Sequence, residues 1–196
     1  MIELETYLED FHSTLGKPTQ YASFTEADHR RLERRLPEAA LELLKMDCFS
    51  HYRRHSLWTC DPDEMIKVRE IWLKEFPRAE IFMRTAFGDF FFWDGEHVWS
   101  ALVHVGAIMF GGEPSWFIGK MFASAGLRRS IGIPGFTDKG RKACGPIGPD
   151  EVYVWVPEQA LGGSSMSSAI EIGKLDVALE VLSQIQPISI QPINRD

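Results

Sequence analysis

Cysteine is scarce in this chain: Cys48, Cys60 and Cys144 are the only three. Three thiols cannot all pair internally, which counts against a disulfide framework and points to a reducing compartment. Long hydrophobic runs are also missing. No apolar stretch approaches the ~20 residues of a membrane-crossing helix. The opening Met1-Ile-Glu-Leu-Glu5 has neither the basic nor the apolar segment of a secretory leader. The expected location is cytoplasmic, with no membrane partner. Positive charge is in deficit, with 21 Lys and Arg against 28 Asp and Glu and a net charge of −7. A dedicated nucleic-acid binder is usually basic, so no direct nucleic-acid contact is expected. The balance suits solubility or a basic partner.

Catalytic signatures are lacking as well. There is no His-Glu-x-x-His. Gly112…Gly119-Lys120-Met121 has the wrong spacing for a phosphate loop and no Ser or Thr after the lysine. Gly162-Gly163-Ser164-Ser165 lacks the residue order of a nucleophile elbow. No carboxylate pair is placed for glycoside chemistry. His97 and His104, seven residues apart, should face opposite sides of their strand. The expectation is a protein that is not an enzyme and needs no cofactor.

Periodicity supplies the elements. Leu4, Leu8, Phe11 and Leu15 form one stripe of a first helix, ended by Gly16-Lys17-Pro18. Thr25 with Asp28 makes a capping-box start for a helix reaching Leu36. Arg30, Arg31, Arg34 and Arg35 lie on its outer face, interleaved with acids, and read as a solvated surface. Pro37-Glu38 opens a third helix running to about Met46. Asp61-Pro62-Asp63-Glu64 should cap a fourth, buried through Met65, Val68, Trp72 and Phe76 and closed by Pro77.

The period then shortens. Residues 81–87, 90–93 and 97–103 read as an antiparallel β-meander turning at Gly88-Asp89 and at the hairpin signal Asp94-Gly95. Phe90 to Trp93 leaves no polar face, so both sides of that strand should be covered. Gly111-Gly112 suggests a boundary. Residues 114–125 should be helical, 126–150 mainly loop, 152–156 a strand, and 175–185 a last helix before a tail marked by Pro187 and Pro192. The predicted fold class is α+β: N-terminal helices with an antiparallel meander (1–110), then a smaller helix–strand–helix lobe (111–196).

Cys48, His51, His55 and Cys60 lie close enough in sequence to suggest a tetrahedral metal site. Their spacing matches no common zinc finger, and buried cysteine is ordinarily a small apolar filler. No metal is expected, and the cluster stands as an alternative reading.

Two segments carry a family resemblance. Arg84-Thr-Ala-Phe-Gly-Asp-Phe-Phe-Phe-Trp93 resembles the "RTAFGDLYLW" hallmark of GAD-like domains. Cys48-Phe-Ser-His-Tyr52 and Leu57-Trp-Thr-Cys-Asp-Pro62 stand where that family writes "GFCGY…GLLWTVDP". Residues 145–164, Gly-Pro-Ile-Gly-Pro-Asp-Glu-Val-Tyr-Val-Trp-Val-Pro onward to Leu-Gly-Gly-Ser, resemble the core of the DUF1851 domain. Here Arg53-Arg54-His55 fill a loop that the family builds with glycine. Together the segments resemble immunity proteins that guard against type VI-secreted DNase effectors. The resemblance implies a partner, a cognate toxin encoded by an adjacent gene, whose neutralisation protects the producing bacterium and its kin. The hallmarks themselves read as structural. Loops are the expected contacts: Asp94 and Glu96 at a hairpin tip, where they would mimic DNA phosphates in a basic cleft, Trp116 at the lobe junction, and the turn Gly162-Gly163-Ser164. A second alternative, through the domain's name, is a nucleic-acid or tRNA-associated module.

Overall fold

The computed structural model describes residues 2–122, 124–130, 135–166 and 168–191. At its centre is an eight-stranded sheet in the order β1-β2-β3-β4-β5-β6-β7-β10. The strands are β1 Thr19–Ala22, β2 Phe49–Tyr52, β3 Leu57–Thr59, β4 Glu80–Thr85, β5 Phe90–Trp93, β6 Val98–Leu102, β7 Ala107–Gly112 and β10 Ser189–Ile190. Neighbours are antiparallel except β10, which runs parallel to β7. A separate hairpin pairs β8, Glu151–Val156, with β9, Ala169–Lys174. The α+β reading and the meander of β4 to β6 hold.

Strand alternation explains why the phenylalanine run has no polar face. Phe91 points into one layer with Phe11, Leu44 and Phe122. Phe90 and Phe92 point into the other, with Val68, Trp72, Leu179 and Leu182. All three rings are fully buried. The first layer is built by α1 (Ile2–Leu15), α2 (Glu26–Leu32), α3 (Glu38–Asp47) and the short α5 (Pro114–Trp116), which continues as a π-helical turn over Phe117–Met121. The second is built by α4 (Ile66–Trp72) and α8 (Leu175–Ile185). The first and last helices follow their apolar stripes, with Leu8, Phe11 and Leu15 buried in α1 and Leu175, Leu179 and Leu182 in α8. Among the described residues, no helix is long and apolar enough to cross a membrane.

Several expectations are corrected. The fourth helix begins at Ile66, not Asp61. The Asp61 carboxylate instead grips Arg31 at 2.9 and 2.6 Å, and Asp63 takes Arg35 at 2.7 Å and also binds Arg31. Arg35 is further held by Glu80 at 3.0 and 2.9 Å. Two arginines of the supposed solvated stripe therefore tie α2 and the turn after it to the β3–α4 connection and to the start of β4. Residues 126–150 are not mainly loop: α6 spans Ala125–Ser130 and α7 spans Gly135–Cys144. Gly140 of α7 is required by close approach, because a Cβ there would meet the Tyr153 ring at 2.8 Å. Gly111-Gly112 ends β7 and does not break the chain, so the expected division at 110/111 falls within a strand. The smaller lobe carries the β8–β9 hairpin where one strand was expected. Residue 123, within the expected helix 114–125, and Pro192 of the expected tail lie outside the described residues.

Candidate functional site

The loop residues expected to bind a partner fall at two opposite ends of the sheet. Asp94 and Glu96 occupy the β5–β6 turn. Val98 pairs with Gly112, which brings the start of α5, and with it Trp116, to the same end. Trp116 is 48% exposed, and Phe110 and Met109 on β7 are 39% and 44% exposed. Phe110 packs edge-on against Trp99 at 5.2 Å and leans on His97 at 5.0 Å. Glu96 is exposed. Asp94 is not free: Oδ1 accepts the N–H groups of Glu96 and His97 at 2.8 and 2.7 Å, and Oδ2 accepts Trp99 Nε1–H at 2.7 Å. Partial burial works against its charge, but these three donors outweigh it and hold the carboxyl below its ordinary range.

Gly162, Gly163 and Ser164 sit at the other end, in the loop after β8. A Cβ on Gly163 would lie 2.0 Å from Pro157 O, so only glycine fits. Ser164 N–H donates to Ser168 Oγ at 2.8 Å, and Ser164 Oγ accepts Met166 N–H at 3.2 Å. The turn residues shape the loop, while its exposed apolar side chains are Leu161, 64% exposed, and Met166, 87% exposed.

The structure does not bring the Cys/His residues together as a ligand set. Among the described residues, no group of three or more His, Cys, Asp and Glu side chains is placed to hold a metal ion. His51 and His55 stack at 3.9 Å, and Arg141 Nη1 donates to His55 Nδ1 at 2.9 Å. Cys60 packs with Met65 and Val68 in the second layer, and burial pushes its thiol up to about 12. The residues lie around a turn in which Arg53, Arg54 and His55 are consecutively left-handed, with φ of 46°, 56° and 73°.

Two cavities flank the β4–β5 turn, and a charged residue of the Arg84–Trp93 segment lines each. The larger, about 510 Å³, is bordered by Tyr21, Cys60, Glu64, Arg84, Asp150 and Lys174. Arg84 is 1% exposed. Its guanidinium donates to the carbonyls of Thr85 at 3.1 Å, Pro149 at 2.8 Å and Gly148 at 3.4 Å, and lies 4.8 Å over the Trp58 ring. Among the described residues no carboxylate pairs with it. Burial lowers its pKa.

The smaller cavity, about 210 Å³, is lined by Phe87, Asp89, His104, Phe136 and Trp155 among others. Asp89 is 8% exposed, and its Oδ1 accepts Val103 N–H at 2.8 Å. Burial pushes its carboxyl up to about 6, against a smaller pull from His104. His104 Nε2 lies 2.7 Å from Phe87 O, and Nδ1 lies 3.2 Å from Glu158 Oε2. A carbonyl only accepts and a carboxylate accepts, so the pair of partners favours the protonated ring, in which both nitrogens donate. Burial opposes that charge, but Glu158 and Asp89 outweigh it and raise the pKa. Sequence reasoning read the hallmark as purely structural, took Asp89 only as a turn residue, set His104 aside as structural or surface, and gave Arg84 no role of its own. The available signal was two charges inside an otherwise apolar, fully covered run, since buried charge is rare without a task.

Residues 5–105 match the GAD-like domain family. The chain belongs to the GAD-like domain family. The match contains β1 to β6 and both charged positions of the β4–β5 turn. This GAD-like chain is also similar to a solved structure described as "Crystal structure of Atu4351 from Agrobacterium tumefaciens", with a TM-score of 0.72 and 15% identity over 95% of this chain and 93% of that one. At that identity the likeness speaks for the fold alone. No curated protein matches this chain.

A third surface lies between α1 and α3. It is a groove of about 460 Å³, lined by Leu4, Leu8 and Met46 with Glu5, Glu9, Glu38 and Glu42. Glu42 pairs with Lys45. Among the described residues, Glu5, Glu9 and Glu38 have no ion-pair partner, and Met46 is 58% exposed.

Proposed function

We propose that this GAD-like protein is a non-enzymatic immunity protein of the cytoplasm, which binds and neutralises a cognate type VI-secreted toxin, a DNase effector. The observation that carries the reading is the α1–α3 groove: an apolar floor bordered by four glutamates, of which Glu5, Glu9 and Glu38 have no ion-pair partner among the described residues. A DNase must attract phosphate and therefore presents positive charge. A carboxylate-rimmed groove complements such a surface and steers association. The resemblance of residues 84–93 to the GAD-like hallmark and of residues 145–164 to the DUF1851 core, a pairing that resembles immunity proteins, supports the same reading. Those segments pack directly together: the Phe87 ring stacks on Trp155 at 4.7 Å, and Tyr153 N–H donates to Ala86 O at 2.9 Å. Phe110, Trp116 and Glu96 supply aromatic and acidic contacts at the end of the sheet where Asp94 shapes the turn. Gly162, Gly163 and Ser164 hold Leu161 and Met166 outward at the other end.

The test is co-expression with the product of the adjacent gene. Toxicity with DNA loss, rescued by this protein in a complex that co-purifies, is the expected result. Paired Glu9→Lys and Glu38→Lys changes should abolish rescue while leaving the fold intact. A harmless neighbour, or rescue without a complex, overturns the reading.

One observation favours a second reading, the nucleic-acid-associated module. Arg53, Arg54 and Arg141 gather near the left-handed turn, and among the described residues none is paired with a carboxylate. Salt-dependent retention of RNA, lost on Arg54→Glu and Arg141→Glu together, would establish it.

A further inference from the structure

The cavity at Asp89 holds a charge that the fold does not complete. An ionised carboxylate offers about four acceptor sites on its two oxygens. Here Oδ1 takes one N–H, from Val103. Among the described residues, Oδ2 has no hydrogen-bond partner and opens onto the cavity, although Asp89 as a whole is more than nine-tenths buried. The imidazolium of His104 does not supply one, because its two N–H groups go to Phe87 O and Glu158. With His104 protonated and Asp89 and Glu158 ionised, these three groups sum to one negative charge, and the nearby cation, Lys139, is held by backbone carbonyls and not by Asp89. Burying such a charge is costly unless something pairs with it.

The walls narrow the choice of partner. Phe87, Phe136 and Trp155 line the same space, and aromatic faces attract cations. Lys139 shows this at the rim: its Nζ lies 5.2 Å over the Trp155 ring. It donates to the carbonyls of Ser165 and Met166 at 2.9 and 3.0 Å and not to Asp89. The volume of about 210 Å³ is several times the ~30 Å³ share of one water, room for a short alkyl chain with its head group. A guanidinium binds carboxylates best through both oxygens at once. Oδ1 already holds the Val103 N–H, which leaves Oδ2 as the oxygen fully open to the cavity and favours a point-like ammonium over a bidentate fork.

We propose that this cavity is a recognition site for an alkylammonium head, the chemistry of a lysine side chain, with Asp89 as its counter-ion and Phe87, Phe136 and Trp155 as its walls. The proposal stands apart from the toxin reading, because it is tested on this protein alone. The ammonium comes either from a lysine of a polypeptide or from a free amine.

The experiment titrates the full chain near neutral pH with n-butylammonium, n-butanol, n-butylguanidinium and N-acetyl-lysine methylamide. Amide and indole NMR shifts of Val103 and Trp155 are followed. Butylammonium should saturate and bind on the order of tenfold tighter than butanol or butylguanidinium, moving the Val103 and Trp155 signals together. Asp89→Asn should lose that preference, and in the wild-type protein the shift map locates the bound amine without any variant. Tighter binding of the lysine amide than of butylammonium assigns the site to a polypeptide side chain, and the reverse assigns it to a free amine. Butylammonium binding no better than butanol, shifts confined to residues away from Val103 and Trp155, or an Asp89→Asn protein that binds as well as wild type would overturn the proposal.

Discussion

Arg84 and Asp89 flank one turn, are both buried, and carry opposite charges, yet the fold treats them differently. The guanidinium of Arg84 meets three backbone carbonyls and a tryptophan face. It fastens the Gly148-Pro149 loop to β4, so its charge is absorbed by dipoles. Among the described residues the Asp89 carboxylate accepts one bond, from Val103, and keeps an unused oxygen at a cavity. The difference separates a charge used to hold the chain together from a charge left available. A buried ion can mark a structural tie or a site, and the count of satisfied atoms tells the two apart.

The largest effect tests the tie. Arg84→Met removes the desolvation cost of the cation but leaves the carbonyls of Thr85, Gly148 and Pro149 without their donor. The expected loss is about 2–4 kcal/mol, read as a fall in the urea midpoint with an unchanged slope. A loss below about 1 kcal/mol would mean the carbonyls are satisfied without Arg84, and the comparison would fail on that side.

Asp89→Asn should act in the opposite direction. The folded carboxyl titrates at about 6 against an ordinary 3.8, so the folded state holds its proton more tightly than the unfolded state. Asp89 therefore costs stability at pH values above its folded pKa, and the cost disappears as pH falls through 6 toward 3.8. Asparagine keeps an acceptor for Val103 N–H and carries no charge. The variant should be more stable than wild type by about 1–3 kcal/mol near neutral pH, with the advantage gone near the ordinary carboxylate pKa. Thermal unfolding across that range measures it. A destabilised variant at neutral pH would place Asp89 with Arg84 as a structural tie.

Glu158→Gln probes the imidazolium between them. The raised pKa of His104 makes its stabilisation fully present below the free imidazole value and lost as pH rises through the folded value. Glutamine should lower the His104 titration followed by ring NMR and cost about 1 kcal/mol on the acid side, with little effect once the ring is neutral. An unmoved titration would show that Glu158 does not hold the charge.

The legible parts of this fold are those whose local pattern and tertiary role coincide. Leu175–Ile185 and the β4–β6 strands were visible because apolar period and burial agree, and Thr25 with Asp28 forms the capping box its spacing promised. Asp61-Pro62-Asp63 misled because its carboxylates serve Arg31 and Arg35, some thirty residues earlier in the chain, a use no local window reveals. Helix α7 was hidden because Gly135, Gly140 and its charges read as loop, whereas Gly140 is there to admit the Tyr153 ring. Strands β2 and β3 escaped because their connecting turn is left-handed without glycine. The two cavities were invisible for a similar reason: Arg84 and Asp89 acquire their surroundings from residues 58, 104, 136 and 148–158, far along the chain. The exposed tip residue Glu96 was legible as exposed, but the commitment of Asp94 to its own turn was not.

The smallest effect carries the same comparison to the backbone, asking whether strain is answered by contacts, as the charge of Arg84 is, or left standing, as that of Asp89 is. Arg53, Arg54 and His55 all adopt the left-handed region, which costs an L-residue roughly 1–2 kcal/mol. Arg53 is compensated, because its Nη1 donates to Thr14 O at 3.0 Å. Arg54 is exposed, and its contribution to the turn is a carbonyl that accepts from Arg141 at 3.4 Å, which glycine would also provide. Glycine removes the conformational cost but loses about 0.5–1 kcal/mol to unfolded-chain entropy. Arg54→Gly should therefore gain about 0.5 kcal/mol, a rise of roughly 1–2 °C in Tm, whereas Arg53→Gly should gain nothing or lose. Equal effects at the two positions would show that the Thr14 contact does not balance the strain, and the turn would then be stiffened by the stacked His51 and His55 rings and by Arg141.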